Sequence, residues 1–264
     1  MSDNMEPEKL LELLHHSPKL VSQHLDISLD LGDKLEDAEK SRASAMIQND
    51  KFRNWLVEDA FSSPLLVNGH RDLESAEGPS PFSFVDAQMI TLLMRNRQAI
   101  VITYFCGMHG EVDHQSRESP TARMMASLVC QLLIQMIERI VGVDISFLTK
   151  ADLRSVESME LDILCILFRE LAFQIPPKIT LVCVLDELVL YEAANMERET
   201  DAIVRRLTRL VAKSSDLVFK LLITCQGRSL NTQKYFNDKD ILDLAEDVEM
   251  DDFALWRIQN IGAN

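Results

Sequence analysis

Residues 178–187 read KITLVCVLDE, a run of aliphatic and β-branched side chains that closes on two carboxylates. A strand with one wet face alternates apolar and polar residues, so a run this uniform belongs to a strand buried on both faces, as in the middle of a parallel sheet. Three other segments share the character: PLLVNG at 64–69, QAIVITYFCG at 98–107 and FKLLITC at 219–225. Between them the apolar spacing changes to three and four, in SFVDAQMITLLMRN (83–96), TARMMASLVCQLLIQMIERI (121–140), SMELDILCILFRELAFQI (158–175, stopping before Pro176 and Pro177) and ETDAIVRRLTRLVAK (199–213). Four apolar strands alternating with helices predict an α/β fold of three layers, a mainly parallel sheet with helices on both faces.

Upstream, Ala45, Met46, Phe52, Trp55, Leu56 and Phe61 recur at helical spacing, so one amphipathic helix is expected from Ser41 onward, with the globule beginning there. Before it only Lys9–His16 is amphipathic, and residues 1–42 are expected to form a loosely attached, flexible or helical arm. The domain proper is placed at 43–236. Residues 237–264 form an acidic segment: Asp238 to Asp252 holds eight acids against Lys239 alone, which marks a solvated stretch.

With 264 residues, 47% of them hydrophobic, the chain can bury one sizeable core. A net charge of −15 with no basic stripe opposes binding to nucleic acid or anionic membranes, which leaves proteins as the expected partners. The start, MSDNMEPEKLLELLHH, carries acids where a secretory leader needs cations, and no apolar window reaches the ~18 residues of a membrane span. Cys130, Cys165, Cys183 and Cys225 sit inside apolar runs and no CxxC pair exists, so reduced, buried thiols and an intracellular, cytoplasmic setting are expected.

Candidate chemistry lies at the strand ends. In P-loop nucleoside triphosphatases an acid at the end of an apolar strand holds Mg²⁺ and a following Glu can polarise the attacking water; Asp186 and Glu187 have that arrangement, although carboxylates there also serve as helix caps. Thr224, at the end of FKLLITC, and Arg228 beyond it are placed to sense a phosphate, or else to bond a neighbouring strand end and face solvent. YFCGMHGEVDH brings Cys106, His109, Asp113 and His114 within nine residues; C-x2-H-x4-H with a carboxylate could supply four zinc ligands, but the spacing is not a standard one, and a polar strand-end loop with Cys106 buried is the expected reading. Met124, Met125, Leu128, Leu132, Leu133, Met136 and Ile137 form a broad stripe expected to pack in the core, while Arg205, Arg206 and Arg209 are expected to pair with acids on a solvated face.

Taken in order, FRNWL, LLVNG, SFVDAQMI, FCGMH, SPTARMMASLVCQLL, LVCVLDE and FKLLITC make residues 43–230 resemble the NACHT-like domains of the STAND class of P-loop ATPases, numerous in filamentous fungi. The resemblance implies a P-loop NTPase-like sheet with a phosphate site at its carboxyl edge, around Asn68, Gly69, Arg71, Ser83, Thr224 and Arg228, with Asp186 on Mg²⁺.

The grip itself departs from that pattern. G-x-x-x-x-G-K-[ST] supplies converging backbone N–H groups, a Lys for the β- and γ-phosphates and a hydroxyl for Mg²⁺. Here VNGHRDLESAEGPSPFSF has Gly69 and Gly78 nine apart, two prolines without N–H, three acids (Asp72, Glu74, Glu77) and no Lys anywhere between Lys51 and Lys150. One carboxylate about 4 Å from a phosphate charge costs about 1 kcal/mol even in water. The expectation is a domain that has lost nucleotide hydrolysis, needs no cofactor and acts through protein contacts. The alternative is a weak Mg-dependent ATP or GTP hydrolase using Asp186 and Glu187, with Arg71 in place of the lysine.

Overall fold

The structure is a computed structural model, and it describes residues 6–14, 18–70, 80–109, 119–140, 142–192, 195–213, 216–245 and Ile258. Five strands, β1 (Ser63–Asn68), β2 (Ala99–Phe105), β3 (Thr180–Asp186), β4 (Val218–Cys225) and β5 (Ile241–Asp243), form one sheet in the order β2-β3-β4-β1-β5, and every pairing is parallel. Nine α-helices lie among the described residues: α1 (Pro7–Leu13), α2 (Pro18–Asp30), α3 (Asp37–Gln48), α4 (Asp50–Val57), α5 (Pro81–Leu93), α6 (Pro120–Arg139), α7 (Lys150–Glu157), α8 (Leu161–Ala172) and α9 (Glu197–Lys213). The α/β class and the parallel sheet agree with the alternation in the sequence. A fifth strand, β5, was not expected.

Strand pleating divides the core in two. In β3, Leu181, Cys183 and Leu185 face one side, with α1, α6, α8 and α9 packed over them; Val182 and Val184 face the other, where α3, α4 and α5 lie. In β4, Phe219, Leu221 and Ile223 join the first layer and Leu222 the second. The same parity aims Asp186 and Thr224 at the α5 side.

The chain leaves β1 through α5 on one face and crosses to β2, then returns through β3 and β4 with α6, α8 and α9 on the opposite face. Helices depart to opposite faces from the carboxyl ends of β1, β4 and β3, which is where open α/β sheets hold ligands.

Some expectations are corrected. The stretch from Ser41 to Phe61 is not one helix: α3 ends at Gln48, and Asn49 accepts the Lys51 N–H at 2.9 Å to cap α4. Phe61 lies beyond α4 and is 70% exposed, so it takes no part in the core. The N-terminal arm is helical, but it is docked: Leu10 and Leu14 are buried in the core layer of α6, and α2 packs on α5. Glu246 to Asp252 of the acidic segment lie outside the described residues.

At 20 residues, α6 is the one described helix long and apolar enough to span a bilayer, contrary to the expectation that no window would qualify. It is a core helix, covered by β2 and α8, and it seals the edge strand β2. Gln131 accepts the Thr103 N–H at 2.9 Å and donates to the Thr103 carbonyl at 2.7 Å; one turn on, Gln135 does the same to Val101 at 3.3 and 2.8 Å, and Arg139 then reaches the Ala99 carbonyl at 2.6 Å. Side chains four residues apart on one helix face thus replace the neighbouring strand that an edge lacks.

Candidate functional site at the carboxyl edge of the sheet

The site begins with the helix that follows β1. Ser80 caps α5, its Oγ accepting the N–H groups of Phe82 (3.3 Å) and Ser83 (3.4 Å), while Pro81 starts the helix without an N–H. Asp186 ends β3 and is 1% exposed; Ser83 Oγ donates to its Oδ2 at 2.7 Å. Glu187 follows in a left-handed backbone conformation (φ 53°), uncommon for a side chain of this kind, which turns its carboxylate back to accept from Ser80 Oγ at 2.5 Å and from the Gln226 N–H at 3.0 Å. Thr224, from β4, stands 2.7 Å from Asp86 Oδ2 and 3.1 Å from Asp186 Oδ1.

Thr224 carries one hydroxyl hydrogen and cannot donate to both carboxyls, so for both contacts to be hydrogen bonds a carboxyl must supply the second hydrogen. Electrostatics agree. Asp86 is fully buried, and burial pushes its carboxyl up to about 8, with the Glu187 charge adding to the rise and the Thr224 hydroxyl opposing it. Burial likewise raises Asp186 well above the usual carboxylate range, reinforced by Glu187 and Asp86, and raises Glu187 against the pull of its Ser80 and Gln226 donors. Asp86 Oδ1 and Gln226 Nε2 are both buried without a partner among the described residues.

Laid on G-x-x-x-x-G-K-[ST] with Ser83 as the hydroxyl residue, the sequence AEGPSPFS (76–83) has Ala76 at the first glycine position, Pro81 at the second and Phe82 at the lysine. Phe82 is completely buried. Arg42 of α3 lies with its guanidinium carbon 5.8 Å from the Phe82 ring centre and donates to the Gly69 carbonyl, so this cation is engaged by backbone and ring. A triphosphate does not fit these residues: a phenyl ring stands at the lysine position, the first-turn N–H groups are capped or missing, and the carboxylates of Asp186 and Glu187 lie against the helix start. The oxygen donors Ser83, Asp186, Asp86 and Thr224 are of the type Mg²⁺ takes, yet Mg²⁺ keeps several waters and relies on substrate phosphates for the rest of its shell.

The remaining candidates fall around this centre in other roles. Gly69 donates its N–H to the Cys225 and Gly227 carbonyls, and a Cβ there would sit 2.4 Å from the Gln226 carbonyl oxygen, so close approach to that loop requires glycine. Asn68 donates to Asp243 at 2.9 Å and accepts the Ser229 N–H at 3.1 Å, tying β1 to β5 and to the loop after β4. Thr224 is held by the two carboxyls, and Arg228 is exposed, its charge helping to lower Asp243 after that residue's own hydrogen bonds to Asn68 and His70. Arg71, Asp72, Glu74 and Glu77 lie outside the described residues, as do Asp113 and His114. Cys106 is fully buried, its thiol driven upward by burial and by Asp186. His109 stacks on Tyr104 at 4.3 Å and meets His24 edge-on at 4.7 Å, and no group of three potential metal ligands occurs among the described residues. Sequence reading missed Asp86, Ser80, Gln226 and Arg42; a lone acid inside the apolar helical run SFVDAQMI, three residues after Ser83 and so on its face, was the available sign of Asp86.

No protein-family model matches the chain, and no curated protein matches it in sequence.

Proposed function

We propose that the chain carries a NACHT-like domain of the STAND type in which the triphosphate grip has been replaced by internal contacts, and that it works as a binding or regulatory module through other proteins. The observation that carries this reading is Phe82, buried where the grip needs a lysine, beside a helix start whose N–H groups are already capped by Ser80. The ATPase ancestry rests on the parallel sheet, on its strand order and on Ser83 meeting Asp186 at the carboxyl ends of the strands. Asp186 and Glu187 then serve as the posts to which α5 is fastened, and no cofactor is required. Protein partners follow from the same balance of charge that disfavours nucleic acid and membrane surfaces, and five buried free thiols suit a reducing, cytoplasmic setting.

A second reading, an Mg-dependent ATP or GTP hydrolase using Asp186 and Glu187, is favoured by one feature, the Ser83 hydroxyl 2.7 Å from Asp186. Thermal melts separate the two. A ligand at 100 times its Kd stabilises a fold by about 2.7 kcal/mol, so millimolar Mg-ATP and Mg-GTP leave the midpoint unchanged under the proposal; a shift lost in Asp186→Ala establishes the hydrolase reading instead.

A further inference from the structure

On the side of the sheet away from α5, a cavity of about 320 Å³ opens between α8 and α9. It is deep enough to reach α6: Met125, Phe168, Ile203 and Leu207, each no more than 2% exposed, line its interior. Its wall also carries four cations, Arg169 from α8 and Arg206, Arg209 and Lys213 from α9. Four cations at one opening stand out in a chain of net charge −15.

Two of these cations have acid partners: Arg169 pairs with Glu170, and Arg206 donates from Nη2 to Asp162 at 2.5 Å. Nη1 of the same guanidinium is buried with no oxygen acceptor among the described residues, and the group meets the thiol of Cys165, which also lines the cavity. A thiol is a weak acceptor, so an anionic oxygen would bind this guanidinium more strongly. Beside it Ile166 of α8 (42% exposed) and Phe173 at the C-cap of that helix (52% exposed), seven residues apart, extend the apolar slot past the cations. An apolar interior, a cationic mouth and a weakly satisfied guanidinium between them define a ligand with an apolar tail and one anionic oxygen head.

We propose that this cavity binds a carboxylate amphiphile of the fatty-acid class, its chain in the slot between α8 and α9 and its head on the cations Arg206, Arg209 and Lys213. The site is separate from the carboxyl edge of the sheet and does not depend on the nucleotide reading. The test uses the full chain titrated with dodecanoate below its micelle concentration, with acetate (head only) and dodecyltrimethylammonium (same tail, opposite head) as comparisons. Saturable one-to-one binding of dodecanoate is expected, with none for acetate or the cation. Arg209→Glu/Lys213→Glu, on the helix surface, weakens it at least tenfold while keeping the thermal midpoint, and Leu210→Trp, which fills the slot, weakens it equally. If Leu210→Trp does not fold, the charge-reversal pair decides. Absence of saturable dodecanoate binding, equal affinity for the cationic amphiphile, or unchanged affinity in the charge-reversal variant overturns the proposal.

Discussion

Ser83 on the first turn of α5 and Asp186 at the end of β3 are joined by a 2.7 Å hydrogen bond in which the hydroxyl donates to a carboxyl that is only 1% exposed. The bond fastens the first helix after β1 to the strand two places across the sheet. Ser83→Ala removes the donor and leaves a buried carboxyl oxygen unmet, so a loss of about 1–3 kcal/mol is expected from urea denaturation at neutral pH. A change under about 0.5 kcal/mol would mean that Asp186 is satisfied without α5.

Asp86 gives the fold a pH dependence of definite sign. Its folded value, about 8, lies above its unfolded value of 3.8, so its contribution is complete below pH 4 and is lost as the pH rises through about 8. Across that window the folded chain keeps a proton that the unfolded chain has released. Asp86→Asn removes the titration: relative to the unmodified chain, the variant gains stability between pH 5 and pH 8, by more than about 1 kcal/mol. Parallel urea-midpoint curves for the two chains across that range would show that Asp86 is ionised in the fold.

The glutamine pair on α6 is expected to matter for solubility as well as stability. Gln131→Leu or Gln135→Leu leaves one N–H and one carbonyl of β2 without a partner, at a cost of about 1–3 kcal/mol each, and the double variant exposes an apolar edge strand to pairing with another chain. Light scattering on mild heating should rise in the double variant first. Unchanged melting and scattering would mean that water serves this edge as well as the two amides do.

Lys220 poses a question of competing terms. It lies in β4 at 4% exposure, where burial draws its ammonium down to about 8, yet Nζ donates to the Trp55 and Glu58 carbonyls at the end of α4 and sits 4.8 Å from the Trp55 ring centre. These contacts satisfy carbonyls that α4 leaves open and favour a cation at a helix carboxyl end. Lys220→Met is therefore expected to destabilise by about 1–3 kcal/mol at pH 7. Stabilisation by the same change would show that desolvation outweighs the cap.

The four long strands were legible because burial on both faces removes all polar alternation, and Ala99–Phe105 and Thr180–Asp186 fall within the runs that announce them. β5 was not: ILD is three residues long beside acids, too short to carry a period. The break at Asn49 was hidden because α3 and α4 keep one apolar rhythm across it, and the docking of Leu10 and Leu14 depends on contacts with α6, more than a hundred residues away. At the site, Asp186, Glu187 and Thr224 were visible as polar residues ending apolar runs, and Ser83 as the polar start of one. Their mutual bonding was not, since it depends on which face of β3 and β4 meets α5. That no Lys lies between Lys51 and Lys150 was readable in the sequence; that the serine following Phe82 meets Asp186 was seen only in the fold.

The central claim, that the carboxyl edge of the sheet is closed on itself and no longer grips a triphosphate, is tested most directly by isothermal titration of the full chain with Mg-ATP and Mg-GTP at millimolar concentration. No saturable heat is expected from the unmodified chain or from Asp186→Ala. Micromolar binding by the unmodified chain that disappears in Asp186→Ala would contradict the claim.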